Sequence, residues 1–374
     1  MRFSTTTVVS LLAVGLIVSV TYGEPPKSQV VLPPTPGNPR NSEGDVVQLD
    51  SGDVLLIYTH FFGGSGDHAK AHLASRISHD GGATWSKDDK IVVPNEGGLN
   101  VMSVSLLRLA DGRLALFYLR KNAHDDCRPQ MRISTDEGKT WGDAVGVIPD
   151  DEIGYYILNN DRVVQLNSGR LIAPVSQHVG PGMPKRNNAG AMLVYYSDDS
   201  GKSWKRSEAA ARPPKRNDRD VMTQEPGVVE LTDGRLLMWC RTNAGSQFIS
   251  TSDDKGETWS QLQPSKIQSP LSPATIERIP STGDLLLIWN DHSDIDPSLR
   301  GKRTPLKSAI SADDGKTWKH VKTLEDKPTG WYCYIALDFI DGHAVLAYCA
   351  GDRRENNGLA VTNTQRLPID WFYE

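Results

Sequence analysis

A chain of 374 residues is long enough for two or three ordinary domains, or for one large domain built from repeats. Lys and Arg total 41 against 46 Asp and Glu, a formal net charge of −5, so there is no basic excess for nucleic acid to recognise. Apolar residues at 38%, with 33 Gly and 23 Pro, exclude disorder and indicate a turn-rich globular protein.

The chain opens on a processing signal. Arg2 gives a positive start, Val8 to Val20 (VVSLLAVGLIVSV) is apolar, and Thr21 and Gly23 supply small residues before Glu24. A bilayer span needs about 20 apolar residues, and this run is shorter. Residues 1–23 are therefore expected to be a signal peptide and 24–374 the mature domain, secreted or periplasmic, with no membrane span.

Two units then alternate to the C-terminus. The first is a pair of apolar strands around a Gly turn, in six copies: 46–58, 105–118, 163–175, 228–240, 275–289 and 335–348. The second is an octapeptide of the form Ser-x-Asp-x-Gly-x-Thr/Ser-Trp, in five copies: SHDGGATW from 78, STDEGKTW from 134, SDDSGKSW from 197, SDDKGETW from 252 and SADDGKTW from 311. A recurrence of this length means stacked supersecondary units. Within each octapeptide the Asp can bond turn N–H groups, Gly takes φ > 0, and Trp packs between neighbouring units. Six antiparallel sheets remove their exposed edges by closing into a ring, so the expected fold is an all-β, six-bladed β-propeller. The last copy lacks an octapeptide, and the segment near Gln29–Leu32 is expected to complete that blade and latch the ring.

The four cysteines, Cys127, Cys240, Cys333 and Cys349, have no framework spacing. A two-residue turn at Asp341-Gly342 pairs positions summing to 683, whereas Cys333 and Cys349 sum to 682. Period-two alternation then puts them on opposite faces, and no bridge is expected. CxxC, HExxH and calcium-loop spacings are absent, so neither a metal nor a cofactor is expected.

The five octapeptides resemble the Asp-box repeats of sialidases (neuraminidases), across nearly the whole mature chain. The resemblance implies a secreted exo-α-sialidase-like glycoside hydrolase, with site residues at one mouth of the propeller. Arg40, just before the first strand pair, matches the first substrate-binding Arg, although Asn41-Ser42-Glu43-Gly44 follows it in place of the family's Ile-Pro. Asp67 in Gly66-Asp67-His68-Ala69 matches the acid/base Asp. Glu225 in Gln224-Glu225-Pro226-Gly227 and Arg241 at the end of the same hairpin match the base and the second Arg. Arg303 matches the third Arg, and Tyr332 in Gly330-Trp331-Tyr332-Cys333-Tyr334 matches the nucleophile. Tyr334, on the same face by period-two alternation, is the second choice. Glu43, Asn160 and Arg162 are further candidates for substrate contact. Asn100, Asn159, His60 and His124 are open to the plainer role of satisfying loop backbone groups.

The chemistry of this set is coherent. Three guanidinium groups would hold the carboxylate of a sialic acid in charge-assisted, bidentate fashion. That carboxylate repels an anionic nucleophile, which favours a neutral Tyr; with a free pKa of about 10, the Tyr needs Glu225 to accept its proton. Asp67 would protonate the leaving oxygen and then activate water. The expected partner is an acidic glycan or sialoglycoconjugate, and the chain is expected to act as a monomer. Two rival readings are a propeller enzyme for a uronate or sulfated glycan, which the altered Arg40–Glu43 segment favours, and a non-catalytic glycan-binding propeller.

Overall fold

The structure, a computed structural model, describes residues 27–374; the signal peptide expected over 1–23 lies outside the described residues. Each octapeptide folds into the same turn. In the first, Asp80 accepts from the backbone N–H and hydroxyl of Thr84 at 2.7 and 2.6 Å, and Ser78 Oγ accepts from Gly82 N at 2.8 Å. The other four repeat these bonds through Asp136, Asp199, Asp254 and Asp313. Their glycines, Gly82, Gly138, Gly201, Gly256 and Gly315, have φ between 74° and 93°, a region that a side chain would oppose. Each Trp then wedges between blades. Trp85 packs on a cluster shared by Val345 and Leu56, Trp141 on Leu55 and Leu116, and Trp318 on Leu237 and Leu285.

Strand pairing groups the described residues into four four-stranded antiparallel sheets and one nine-stranded sheet that holds the second and third strand pairs of the repeat, consistent with six blades. The inner strands are Arg40–Gln48, Asn100–Arg108, the interrupted pair Tyr155–Ile157 and Val164–Gln165, Thr223–Glu230, Thr275–Arg278 and Gly330–Ile340. Blades two and three also touch through one parallel pairing, Tyr155 with Cys127. Strand Gln29–Leu32 pairs antiparallel with Thr362–Pro368 and supplies the outer strand of blade six, so the two ends of the chain latch the ring as expected. Among the described residues no helix is long and apolar enough to cross a membrane.

One feature of the inner strands was not read from the sequence. In blades one, two, four and six the register shifts by one residue near the start of the strand, between Ser42 and Asp45, Met102 and Ser105, Gln224 and Gly227, and Cys333 and Ala336. The first residue inside each bulge is left-handed: Glu43 (φ 54°), Ser103 (φ 60°), Glu225 (φ 51°) and Tyr334 (φ 56°). Asp161 in blade three has φ 55° in its strand interruption. A left-handed non-Gly residue costs about 1–2 kcal/mol, and a bulge re-aims the side chain it carries. Side chains from several blades are thereby brought to meet one another.

Candidate active site

Blade one builds an acid–base cluster around a buried guanidinium. Arg40, only 2% exposed, donates from Nε to Ser42 Oγ (2.9 Å), from Nη1 to Asp67 Oδ1 (2.5 Å) and Ser65 O (3.2 Å), and from Nη2 to Glu43 Oε1 (3.2 Å). Its plane lies 4.4 Å from the Phe61 ring centre. Asp67, 62% exposed, stands on the loop after the first hairpin. That loop is pinned from blade two: Asn100 Nδ2 donates to Asp67 O and Ala69 O at 3.0 and 2.8 Å, and Lys121 Nζ to Asp67 O at 2.7 Å. Partial burial alone would raise the Asp67 pKa, but Arg40 more than offsets this and holds it below the ordinary carboxylate value.

Blades four, five and six build the facing half. Glu225 Oε1 is 2.9 Å from Arg241 Nη2 and accepts from the Tyr334 hydroxyl at 3.4 Å. The guanidinium of Arg303 lies 5.3 Å from the Tyr334 ring centre and 5.3 Å from that of Trp331. Burial and then the charge of Glu225 push the Tyr334 phenol well above its usual range, against the pull of Arg241 and Arg303. Glu43 joins the halves: Ser103 Oγ donates to its Oε2 at 3.1 Å, and its carboxylate acts electrostatically on Arg40, Glu225 and Tyr334. Its own pKa is raised, by burial first, against the pull of Arg40.

The three arginines differ in how far they are satisfied. Every nitrogen of Arg40 has a partner within the protein. Arg241 Nε and Nη1 and Arg303 Nη1 are buried donors without a hydrogen-bond partner, and Glu225 Oε2 is a buried acceptor without one. Buried polar groups are rarely left so. Two guanidinium groups with spare donors beside a phenol–carboxylate pair can hold a carboxylate next to a nucleophile and its base.

The structure does not bring Tyr332, the nucleophile candidate assigned from the sequence, to Glu225; Tyr334 meets it instead. Tyr332 packs among Ile335, Leu337 and Tyr348, and the carboxylate that acts most strongly on its phenol is Glu325, not Glu225. The cause is the bulge: with Tyr334 left-handed, alternation fails after Cys333, so Tyr332 and Tyr334 do not share a face. What Tyr332 contributes is a backbone N–H to Arg303 O at 2.9 Å. Arg162 and Asn160, candidates for substrate contact, are tied to backbone carbonyls. Arg162 donates to Ala274 O (2.8 Å) and Asp161 O (2.7 Å), and Asn160 Nδ2 to Gly44 O (2.9 Å) and Tyr334 O (3.1 Å). Asn100 takes the plainer role weighed for it, bonding loop carbonyls; His60 lies against Asp89, and His124 stacks edge-on with His68. Ser42, Ser103 and Gln224 were missed as partners of the charged groups; Gln224 Oε1 accepts from Arg241 at 2.7 Å. Adjacency to Glu43 and Glu225 was the one signal available for Ser42 and Gln224.

The family description "BNR repeat-like domain" matches residues 57–342. A sialidase of Bacteroides fragilis is 29% identical over 224 residues, covering 57% of this chain and 37% of that protein. A sialidase of Micromonospora viridifaciens is 24% identical over 396 residues, covering 91% of this chain and 57% of that protein. The chain thus spans between about a third and three fifths of the length of these curated relatives. Among solved structures, the intramolecular trans-sialidase of Ruminococcus gnavus superposes with a TM-score of 0.71 at 18% identity, over 92% of this chain and 98% of that one, a likeness of fold. With the repeat description spanning most of its length, the chain belongs to the BNR repeat-like domain family.

Proposed function

We propose that the chain is a retaining exo-α-sialidase-like glycoside hydrolase that releases terminal sialic acid from glycans, with Tyr334 as nucleophile. The observation that carries this reading is the shared carboxylate of Glu225, which meets Arg241 on one side and the Tyr334 hydroxyl on the other. Arg241 and Arg303 present their spare donors to the substrate carboxylate, and Glu225 takes the phenol proton as Tyr334 attacks the anomeric carbon. Arg40 turns from Asp67 to the same carboxylate. That exchange frees Asp67 from the charge that keeps it ionised, so it can protonate the leaving oxygen and then deprotonate water. A sialidase with a Tyr nucleophile departs from the two-carboxylate scheme of most glycosidases.

The second reading, a uronate or sulfated glycan as substrate, draws on Glu43: a carboxylate already bound to Arg40 narrows the anion clamp. The two separate on a panel of chromogenic glycosides. Release from the α-sialoside supports the first reading; release from a uronide or sulfated glycoside alone supports the second. Binding to acidic sugars with no release from any of them would make the chain a non-catalytic glycan binder.

The apolar run before Glu24 supports export, with residues 1–23 removed and the mature protein secreted or periplasmic. N-terminal sequencing of exported material should begin near Glu24; an intact Met1 would contradict it.

A further inference from the structure

The bulge that turns Tyr334 inward also re-registers the two cysteines of blade six. From the turn outward the hairpin pairs Ile340 with His343 and Ala336 with Ala347, and after the bulge Cys333 pairs directly with Cys349. Directly opposed residues in an antiparallel pair point to the same face, with Cα atoms about 4.5–5.5 Å apart. A disulfide accepts roughly 4.4–6.8 Å. Both thiols are buried, 0% and 1% exposed, in a small cluster with Tyr334, Trp331 and Leu359. The opposite-face placement expected from the sequence is therefore corrected, and the reason for excluding a bridge goes with it.

We propose that Cys333 and Cys349 are a redox-modifiable pair that closes into a cross-strand disulfide at the base of the Tyr334 bulge. The oxidant is a low-molecular-weight disulfide. The Cys333 thiolate attacks one of its sulfurs and displaces one small thiolate; Cys349, giving up its proton, then attacks the Cys333 sulfur of the mixed disulfide and displaces the second. Two protein thiols are oxidised, one small disulfide is reduced to two thiols, and the two protons leave with them. The pair lies within one local hairpin, so exchange takes place while that hairpin is open, before Gln29–Leu32 closes the blade over it.

The bond also bears on the anion clamp, a consequence that rests on the proposed function. In the thiol form Cys333 packs with Tyr334 and Trp331, the two rings that lie beside the Arg303 guanidinium, and the charges of Arg303 and Arg241 act on it. Burial would raise the Cys333 pKa, but the neighbouring Cys349 and the two guanidinium groups lower it. A Cys333 thiolate competes for Arg303, whereas a disulfide carries no charge and leaves Arg303 to the ligand.

The test counts thiols. The full chain is produced once by export into an oxidising compartment and once in a reducing cytosol, and each sample is denatured and alkylated without reductant. Four alkylated cysteines are expected in the cytosolic sample and two, Cys127 and Cys240, in the exported one, with a cross-linked peptide joining Cys333 to Cys349. The exported Cys349→Ser variant should show three, a readout that does not depend on its folding. Four alkylated cysteines in the exported wild type, or a cross-link between any other pair, overturns the proposal. In a second arm, N-acetylneuraminate should bind the exported form several-fold more tightly than the cytosolic form at pH 8. Equal affinities refute the effect on Arg303, while binding by neither form counts against the proposed function and leaves the thiol count to decide on the disulfide.

Discussion

Asp67 rests in a protonation state opposite to the one its proposed role begins from. Arg40 holds its carboxyl below the ordinary value, so at neutral pH it is ionised, and the proposed role begins once a substrate carboxylate draws Arg40 away. The role predicts a dependence on leaving group. Asp67→Ala should slow release from a natural sialoside by about 10²–10⁴-fold, and much less from an aryl sialoside whose phenolate leaves without a proton. Comparing kcat/KM on the two substrates checks it, and equal losses would count against Asp67 as the acid. Arg303→Ala should weaken product binding by about 1.5–3 kcal/mol, roughly ten- to a hundredfold, since a charge-assisted bond is lost; isothermal titration reads this directly. At this scale the sequence was legible where a residue was marked by its neighbours, as Glu225 is by Pro226 and Asp67 by a Gly-rich loop. It misled at Tyr332, because two tyrosines two residues apart are indistinguishable until the backbone between them is known.

That backbone is the bulge. Alternation along a strand holds only while each residue faces one partner, and in four inner strands two residues face one instead. Glu43, Ser103, Glu225 and Tyr334 occupy equivalent places in their blades, and they pair: Ser103 with Glu43, Tyr334 with Glu225. A period-two reading cannot show this, and neither could the arithmetic that separated Cys333 from Cys349. The octapeptide turns were legible throughout, because their bonds are local and each residue type has one steric or hydrogen-bonding reason to be there. Their tightness predicts intolerance. Gly201 has φ 85°, and a Cβ there would lie 2.2 Å from Met131 Sδ, so Gly201→Ala should cost about 1–3 kcal/mol in a denaturant titration. Gly234, with φ 82° but nothing within 4 Å, isolates the backbone contribution: Gly234→Ala should cost less.

Across the whole ring, the inner strands end at a second mouth, lined by Asp45, Asp161, Arg162, Glu277 and Asp338 around a cavity of about 900 Å³. Burial pushes all four carboxyls upward, Asp338 to about 6, and the neighbouring Asp161 raises Glu277 further. A carboxyl raised on folding stabilises below its unfolded pKa and loses that contribution as pH rises through the folded value. The turn aspartates act in the opposite sense. Asp136, Asp199 and Asp313 are lowered to about 2, chiefly by hydrogen bonds from Thr140, Ser203 and Thr317, so their contribution is lost as pH falls toward 2. Thermal stability should therefore peak in mildly acidic solution, near pH 4 to 5, and decline toward pH 8. Glu277→Gln, which keeps a hydrogen-bonding amide beside Asp161, should raise Tm at pH 8 and change it little at pH 5. An unchanged slope between those pH values would mean these carboxyls ionise freely in the folded protein. The ring itself, including its Gln29–Leu32 latch, was legible because repeat number and edge closure are properties of the whole chain rather than of any one backbone angle.

The proposed chemistry depends on Tyr334, rather than Tyr332, meeting Glu225. The most direct measurement is steady-state release from a chromogenic α-sialoside by Tyr334→Phe and Tyr332→Phe, alongside titration of N-acetylneuraminate. Tyr334→Phe should lose at least about 10³-fold in kcat while binding the product nearly as well as wild type. Tyr332→Phe should keep kcat within severalfold and lose mainly thermal stability, since Tyr332 packs in the blade core among Ile335, Leu337 and Tyr348. Loss of turnover in Tyr332→Phe with activity retained in Tyr334→Phe would contradict the account.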